Sequence, residues 1–237
     1  MTIRVLILNL NNLNFIRDCV SDLRAQAHFN FKVTIIDQDS TEEGNREFLE
    51  SINDSRFEII FNENNEPVNK MWNWFANTYD EDLLCFLNND VRIPKNFILD
   101  TIETFHKEEE VGIAVHATNH PHYSHVKSKL MYAIVPKFKY MQGWDYTIRK
   151  ECFTQIPEEL KIYCGDDFLF HQTYLKGFDL AYIVSSPIIH YEGQSKKFMR
   201  TTGVEDIKTY KDLGFKHYLK INYEFSNIKP TYKEFKN

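Results

Sequence analysis

The sequence predicts an α/β fold, an open sheet with helices on both of its faces. Three observations carry this. Four short apolar β-type runs, residues 3–8, 31–36, 57–61 and 83–87, alternate with helix-like stretches inside the first ninety residues. The runs are apolar at successive positions, as strands covered on both faces are. Each run also ends in a polar cluster: Asn9/Asn11, Asp37/Asp39, Asn62/Asn64 and Asn88/Asp90. Open α/β sheets bind ligands outside the C-terminal ends of their strands. Four polar tips in succession therefore predict a shared rim that holds something polar.

The elements follow in order. The run Ile3-Arg4-Val5-Leu6-Ile7-Leu8 is ended by Asn9-Leu10-Asn11-Asn12, and residues 15–26 then place Ile16, Cys19, Val20 and Leu23 on one helical face. The second strand stops at Asp37-Gln38-Asp39-Ser40-Thr41, and residues 43–52 read as a helix. The third closes at Asn62-Glu63-Asn64-Asn65, before a helix over 69–79 rich in Trp and Phe. The fourth delivers Asn88-Asn89-Asp90. The second half is less regular. Residues 97–107 read as a helix, 111–115 as a strand, and 116–125 as a loop with four histidines. Residues 131–135 and 138–140 look like strands. Gly165-Asp166-Asp167 opens a helix to about residue 176, with Gly177 suited to its C-terminal cap. Residues 180–184 form a strand, and Ile188-Ile189-His190-Tyr191-Glu192-Gly193 follows. Beyond residue 195 there are helical patches without a core pattern. The chain divides into a domain over 1–195, with halves 1–92 and 93–195, and an appendage over 196–237.

Composition sets bounds. With 237 residues and 43% hydrophobic content the chain can bury one sizeable core. The formal net charge of −6 is uneven: residues 195–237 carry ten Lys/Arg against five Asp/Glu, so the tail holds +5 and the first 194 residues −11. A basic tail rich in Tyr and Phe either meets an anionic partner or is a solvated helical extension. The cysteines Cys19, Cys85, Cys152 and Cys164 form no CxxC pair, which predicts reduced thiols and a cytoplasmic protein, in a host's cytoplasm if the source is viral. No signal-peptide layout and no apolar stretch of about 20 residues is present. The absence of GxGxxG and GxxxxGK[ST] removes support for dinucleotide and P-loop readings.

Several residues can carry chemistry. Asp37 is placed to accept hydrogen bonds from a base or ribose. Asp39 divides between that role and capping the following helix. Asp90, on a strand tip, can hold a hard divalent cation, and the cation a diphosphate; the alternative is an Asn-rich turn, and one carboxylate needs further ligands. Asp166 and Asp167 either complement a helix dipole or supply a general base for an acceptor hydroxyl. His190 is a structural histidine or a neutral imidazole for a metal. His116, His120, His122 and His125 have metal-like spacing, but no helix fixes them and no cysteine joins them, so they read first as a loop over the ligand.

Taken together and in order, these segments resemble the family 2 glycosyltransferases of GT-A, Rossmann-like fold. The resemblance covers residues 3–195. It rests on Leu8-Asn9-Leu10-Asn11-Asn12, Ile36-Asp37-Gln38-Asp39-Ser40-Thr41, Asn62-Glu63-Asn64-Asn65 and Leu87-Asn88-Asn89-Asp90-Val91. It continues through Gln142-Gly143-Trp144 before Arg149-Lys150-Glu151-Cys152-Phe153, then Gly165-Asp166-Asp167 and His190-Tyr191-Glu192-Gly193-Gln194-Ser195. It implies an open mixed sheet and an inverting transfer from a nucleotide-diphosphate sugar, with UDP favoured. Asp37 would contact the base, with Asn9, Asn11 and Asp39 nearby and Asn64 and Lys70 near the nucleotide. Asn88-Asn89-Asp90 stands where the DxD motif does, with Asp90 and His190 as ligands of Mn2+ or Mg2+. Gly143 and Trp144 would wall the donor sugar and acceptor. Asp167 aligns best with the base, Asp166 orienting hydroxyls, although a shift of one residue swaps them. Two departures stand out. The usual Pro-Thr pair is missing from the first strand end, and Asn88 replaces the first DxD acid, leaving one less negative charge for the cation.

Competing readings are a nucleotidyltransferase, opposed by the missing Gly/Lys-rich loop, and an inactive nucleotide-sugar-binding module, opposed by the joint presence of Asp90, Asp167 and His190. The acceptor implied is a surface glycan or polysaccharide. The alternative is a phage-type transfer to hydroxymethylated bases of DNA, which the basic aromatic tail suits.

Overall fold

The computed structural model describes residues 1–28, 30–118, 129–135, 143–191 and 200–215. The first half alternates β1 (Ile3–Asn9), α1 (Leu13–Arg24), β2 (Lys32–Gln38), α2 (Asn45–Glu50), β3 (Phe57–Asn62), α3 (Val68–Thr78) and β4 (Leu83–Asn88). The second half adds β5 (Val91–Arg92), α4 (Phe97–Lys107), β6 (Val111–Thr118), β7 (Tyr132–Val135), β8 (Asp145–Arg149), α5 (Gly165–Leu175), β9 (Asp179–His190) and α6 (Arg200–Asp212). The strand order is β3-β2-β1-β4-β8-β6-β9-β5, with β7 also paired to β9. β1, β2, β3 and β4 run parallel, whereas β8 is antiparallel to both β4 and β6. The open mixed α/β sheet is the one the sequence implies.

Alternation along each strand builds a core on both faces. On one face Leu6, Ile36, Leu84 and Phe86 pack under α3 and α5, with Trp72, Phe75, Leu169 and Phe170 buried. On the other Val5, Ile7, Val33, Ile35, Cys85 and Leu87 pack under α1 and α4, with Ile16, Leu23, Ile98 and Phe105 buried. Each such side chain contributes about 1.5–3 kcal/mol by leaving water. Tyr210 of α6 is fully buried in the first cluster. All four cysteines are free and buried, and burial pushes the Cys85 thiol up to about 12. Among the described residues no helix is long and apolar enough to cross a membrane.

The structure departs from the sequence reading at four places. His116 does not open a loop: it lies inside β6 and is 1% exposed. His120, His122, His125 and residues 138–140 lie outside the described residues. Residues 145–149, given no element from sequence, form β8 at the centre of the sheet. Residues 180–184 and 188–190 are one strand, β9. Its Ser185-Ser186-Pro187 stretch fills the register shift between the His116–Ile183 and Thr118–Ile188 pairs, a bulge in which a proline needs no ladder partner. Asp39 does not cap α2, whose N-cap is Gly44 at φ 80. At the end of α5, Gly177 has φ 91 and its N–H donates to Tyr174 O at 3.0 Å, the cap the sequence predicts.

Candidate functional site

Register places the strand tips in a row. Asn9 pairs with Asp37, Leu8 with Asn88, and Gln38 with Asn62. The polar side chains then bind one another. Asn9, fully buried, donates from Nδ2 to Asp37 Oδ1 at 2.8 Å and Asn45 Oδ1 at 2.9 Å, and its Oδ1 accepts from Asn89 Nδ2 at 3.0 Å. Ser40, given no role from sequence, donates from Oγ to Asp37 Oδ1 at 2.6 Å and from N–H to Oδ2 at 3.0 Å. Asn11 Oδ1 accepts from the N–H groups of Thr41 and Glu42 at 2.8 and 2.9 Å. Asp37 Oδ2 keeps acceptor capacity beyond Ser40. Asn9 and Asn11 therefore shape the rim, while Asp39 and Asn88 stand exposed on it. Among the described residues, the non-glycine positions at positive φ, Asn11, Asn12, Asp39 and Cys164, all lie in loops at this end of the sheet, at φ 57–63. Such strain collects at functional sites.

Asn64 and Lys70 lie on a cleft of about 440 Å3 beside β3 and α3, with Asn62, Glu63 and Trp74. Lys70 Nζ is 2.7 Å from Glu66 Oε2. A second cleft of about 450 Å3, lined by Thr2, Arg4, Lys32 and Tyr79 among others, lies at the opposite ends of the strands and holds none of the site residues.

β9 returns His190 to the strand-tip acid. Val91 pairs with His190 in the β5–β9 ladder, and Tyr191 N–H donates to Asp90 O at 3.0 Å. His190 Nε2 lies 3.3 Å from Asp90 Oδ1. Asp90 is 7% exposed, and its Oδ1 accepts no hydrogen bond among the described residues. A buried carboxylate oxygen facing an imidazole nitrogen fits a divalent cation. No cluster of three His, Cys, Asp or Glu exists among the described residues, so an ion held here would take at most two described side chains of these types.

The acids of α5 are buried, Asp166 to 9% and Asp167 to 1% exposed. A Cβ added at Gly143 would lie 2.2 Å from Asp166 Oδ2, so any larger residue here forces this carboxylate from its place. The next residue, Trp144, stacks on His190 at 4.5 Å and 11°, donates from Nε1 to Thr118 Oγ1 at 2.9 Å, and accepts at its carbonyl from Asn88 N–H at 2.9 Å. Two consecutive residues, their Cα atoms about 3.8 Å apart, thus lie against Asp166 on one side and His190 on the other. Sequence placed Gly143 and Trp144 at the wall but gave no hint of the stacking on His190.

Of the buried neighbours of Trp144, Asp145 was missed and His116 was read as a loop residue. Asp145 Oδ2 accepts from His116 N–H at 2.8 Å, and burial raises its carboxyl far above the usual range. His116 lies between Thr101 Oγ1 at 2.8 Å and Ser186 at 2.9 Å, and burial pushes it down to about 3. It is a core histidine.

Comparison with known proteins bears on the family and the fold. The profile described as "Glycosyl transferase family 2" matches residues 4–178. The fold is similar to S. aureus TarS 1–349 (17% identity, TM-score 0.65), covering 86% of this chain and 65% of that one. The same protein in complex with UDP-GlcNAc matches at 16% identity and TM-score 0.65, with 86% and 66% covered. GalNAc-T7 with UDP, GalNAc and Mn2+ matches at 16% identity and TM-score 0.65, with 89% and 50% covered. The chain thus spans less than two thirds of these structures. No curated protein sequence matches it. With the profile covering most of its length and the fold agreeing, the chain belongs to glycosyl transferase family 2.

Proposed function

We propose that the protein transfers a sugar from a UDP-sugar to an acceptor hydroxyl on a surface glycan or polysaccharide, inverting the anomeric carbon, with Mn2+ or Mg2+ held by Asp90 and His190. The observation that carries this is the Gly143–Trp144 dipeptide, which sets the carboxylate of Asp166 and the imidazole of His190 on either side of one short wall. UDP-GlcNAc in the TarS complex and UDP with Mn2+ in GalNAc-T7 support the donor and the ion.

The residues divide the work. Asp37 accepts from the base, with Asn9, Asn11 and Asp39 shaping its site and Asn64 and Lys70 flanking it. Asn88 and Asn89 lie beside the diphosphate. A bound cation supplies the positive charge that stabilises the leaving nucleoside diphosphate. Asp167 takes the proton of the acceptor hydroxyl, whose oxygen bonds to the anomeric carbon as the bond to the diphosphate oxygen breaks on the opposite face. Asp166, against Gly143, orients hydroxyls. Tyr191, exposed, stacked on Phe15 at 5.1 Å and next to His190, offers a ring face to a sugar.

The test is turnover of UDP-sugars with Mn2+. Asp167→Asn is expected to lower kcat by about 10^2–10^4-fold, the range of a general base, and Asp166→Asn by less. The reverse order assigns the base to Asp166. Wild-type activity retained in both variants contradicts the mechanism.

A further inference from the structure

The loop over residues 160–164 delivers Asp166 and Asp167 to the rim, and two other elements hold it. From α3, Asn69 Nδ2 donates to Leu160 O at 3.1 Å and Tyr163 O at 3.2 Å, and Asn69 N–H donates to Lys161 O at 3.0 Å. Asn69 also closes the space under Gly165, where an added Cβ would lie 2.0 Å from Asn69 Oδ1. From α6, Asp206 accepts three successive backbone N–H groups: Lys161 at 3.1 Å, Ile162 at 2.8 Å and Tyr163 at 2.8 Å.

Three converging N–H groups form a nest that favours an anion. Here a carboxylate from far along the chain fills it, and Asp206 is 2% exposed. One turn earlier on α6, Gly203 lies against the Tyr163 ring, where an added Cβ would come within 2.9 Å. The chain then passes through Cys164 at φ 63. A left-handed non-glycine residue costs about 1–3 kcal/mol and persists only where its surroundings over-determine it. The next residues are Gly165, Asp166 and Asp167.

We propose that Asp206 is a positioning residue for the transfer reaction. Its carboxylate fixes the loop, and the loop sets where the first turn of α5 points its two acids. The claim rests on the transferase reading above. The Asp206 carboxylate is buried against the backbone N–H groups of residues 161–163 and acts through them. An asparagine in its place has one acceptor oxygen for three donors, turns an amide NH2 toward them, and loses the charge that strengthens such bonds about twofold.

The test uses the full chain and the UDP-sugar that the wild type turns over fastest among UDP-glucose, UDP-galactose and UDP-GlcNAc. Asp206→Asn is expected to lower kcat about tenfold, a modest share of what misplacing catalytic groups can cost, with the donor KM unchanged. Amide hydrogen exchange is expected to rise at residues 161–163 and in the first turn of α5. Asp206→Glu keeps the charge and is expected to fall between wild type and Asp206→Asn in kcat. A purely structural role would lower the melting temperature and leave kcat per folded molecule intact. Wild-type kcat in Asp206→Asn, or unchanged protection of the three amides, overturns the proposal. Should Asp206→Asn fail to fold, Asp206→Glu decides: a lower kcat at constant donor KM supports the role, and wild-type values overturn it. A wild type that binds UDP yet turns over none of the three sugars overturns the transferase reading, and the role with it. An active wild type matched by its variant overturns the role alone.

Discussion

Gly143 is the residue at which the two halves of the proposed site meet. Any side chain there collides with Asp166, whose Oδ2 would lie 2.2 Å from the new Cβ. Gly143→Ala is therefore expected to displace the carboxylate and lower kcat by about tenfold to a hundredfold, the cost of misplacing a catalytic group. UDP affinity is expected to hold; calorimetry and turnover on the same preparation check both. His116 sets a different residue-scale expectation. Burial pushes its pKa down to about 3, so the folded protein keeps it neutral while the unfolded chain takes up a proton below about 6.5. Its contribution to stability is present above pH 6.5 and is lost as the pH falls toward 3. Asp145 packs against its backbone, and Asp100 lies across Ser185 at 2.6 Å. Burial raises both carboxyls, so their contribution has the opposite sense and is lost as the pH rises from about 4. Between pH 7 and pH 5 the wild type is expected to lose about 2 kcal/mol more stability than His116→Gln in urea unfolding. Equal losses would show that His116 titrates normally.

At the scale of elements, β8 is the clearest test of the topology. Ile148 is fully buried, between Leu84 on β4 and Ile113 on β6. Ile148→Ala is expected to cost about 2–5 kcal/mol in urea unfolding, as core truncations do; a surface loop would give within about 0.5 kcal/mol. The first four strands and the three helices between them were legible because each apolar run ends in amides or acids and each helix carries an apolar stripe. β8 was not, because Asp145 and Thr147 alternate with Tyr146 and Ile148 and leave no apolar run. β9 looked broken because Ser185-Ser186-Pro187 reads as a turn, whereas the bulge absorbs it. The polar tips made the rim legible, yet which of them face a ligand was not. Asn9 and Asn11 are spent on Asp37 and on loop amides through partners 28 to 36 residues away in sequence. Asp206 left no signal at all, since its three partners are backbone N–H groups brought to it by tertiary folding.

At the scale of the whole molecule, charge decides how a diphosphate is held. Residues 1–194 carry −11. The proposed site gathers Asp37, Asp39, Asp90, Asp166 and Asp167, while Lys70 is already paired with Glu66. This field repels a nucleoside diphosphate. Under the proposed function, a divalent cation held by the buried Asp90–His190 pair would reverse it. The central claim is therefore that nucleotide binding depends on a cation held by that pair. The most direct measurement is calorimetric titration of UDP into wild type and Asp90→Asn, each with and without Mn2+. Mn2+ is expected to tighten UDP binding to the wild type by about tenfold or more, equivalent to about 1.4 kcal/mol, and to leave Asp90→Asn unchanged. Equal UDP affinity with and without Mn2+ in the wild type, or the same gain in Asp90→Asn, would contradict the account.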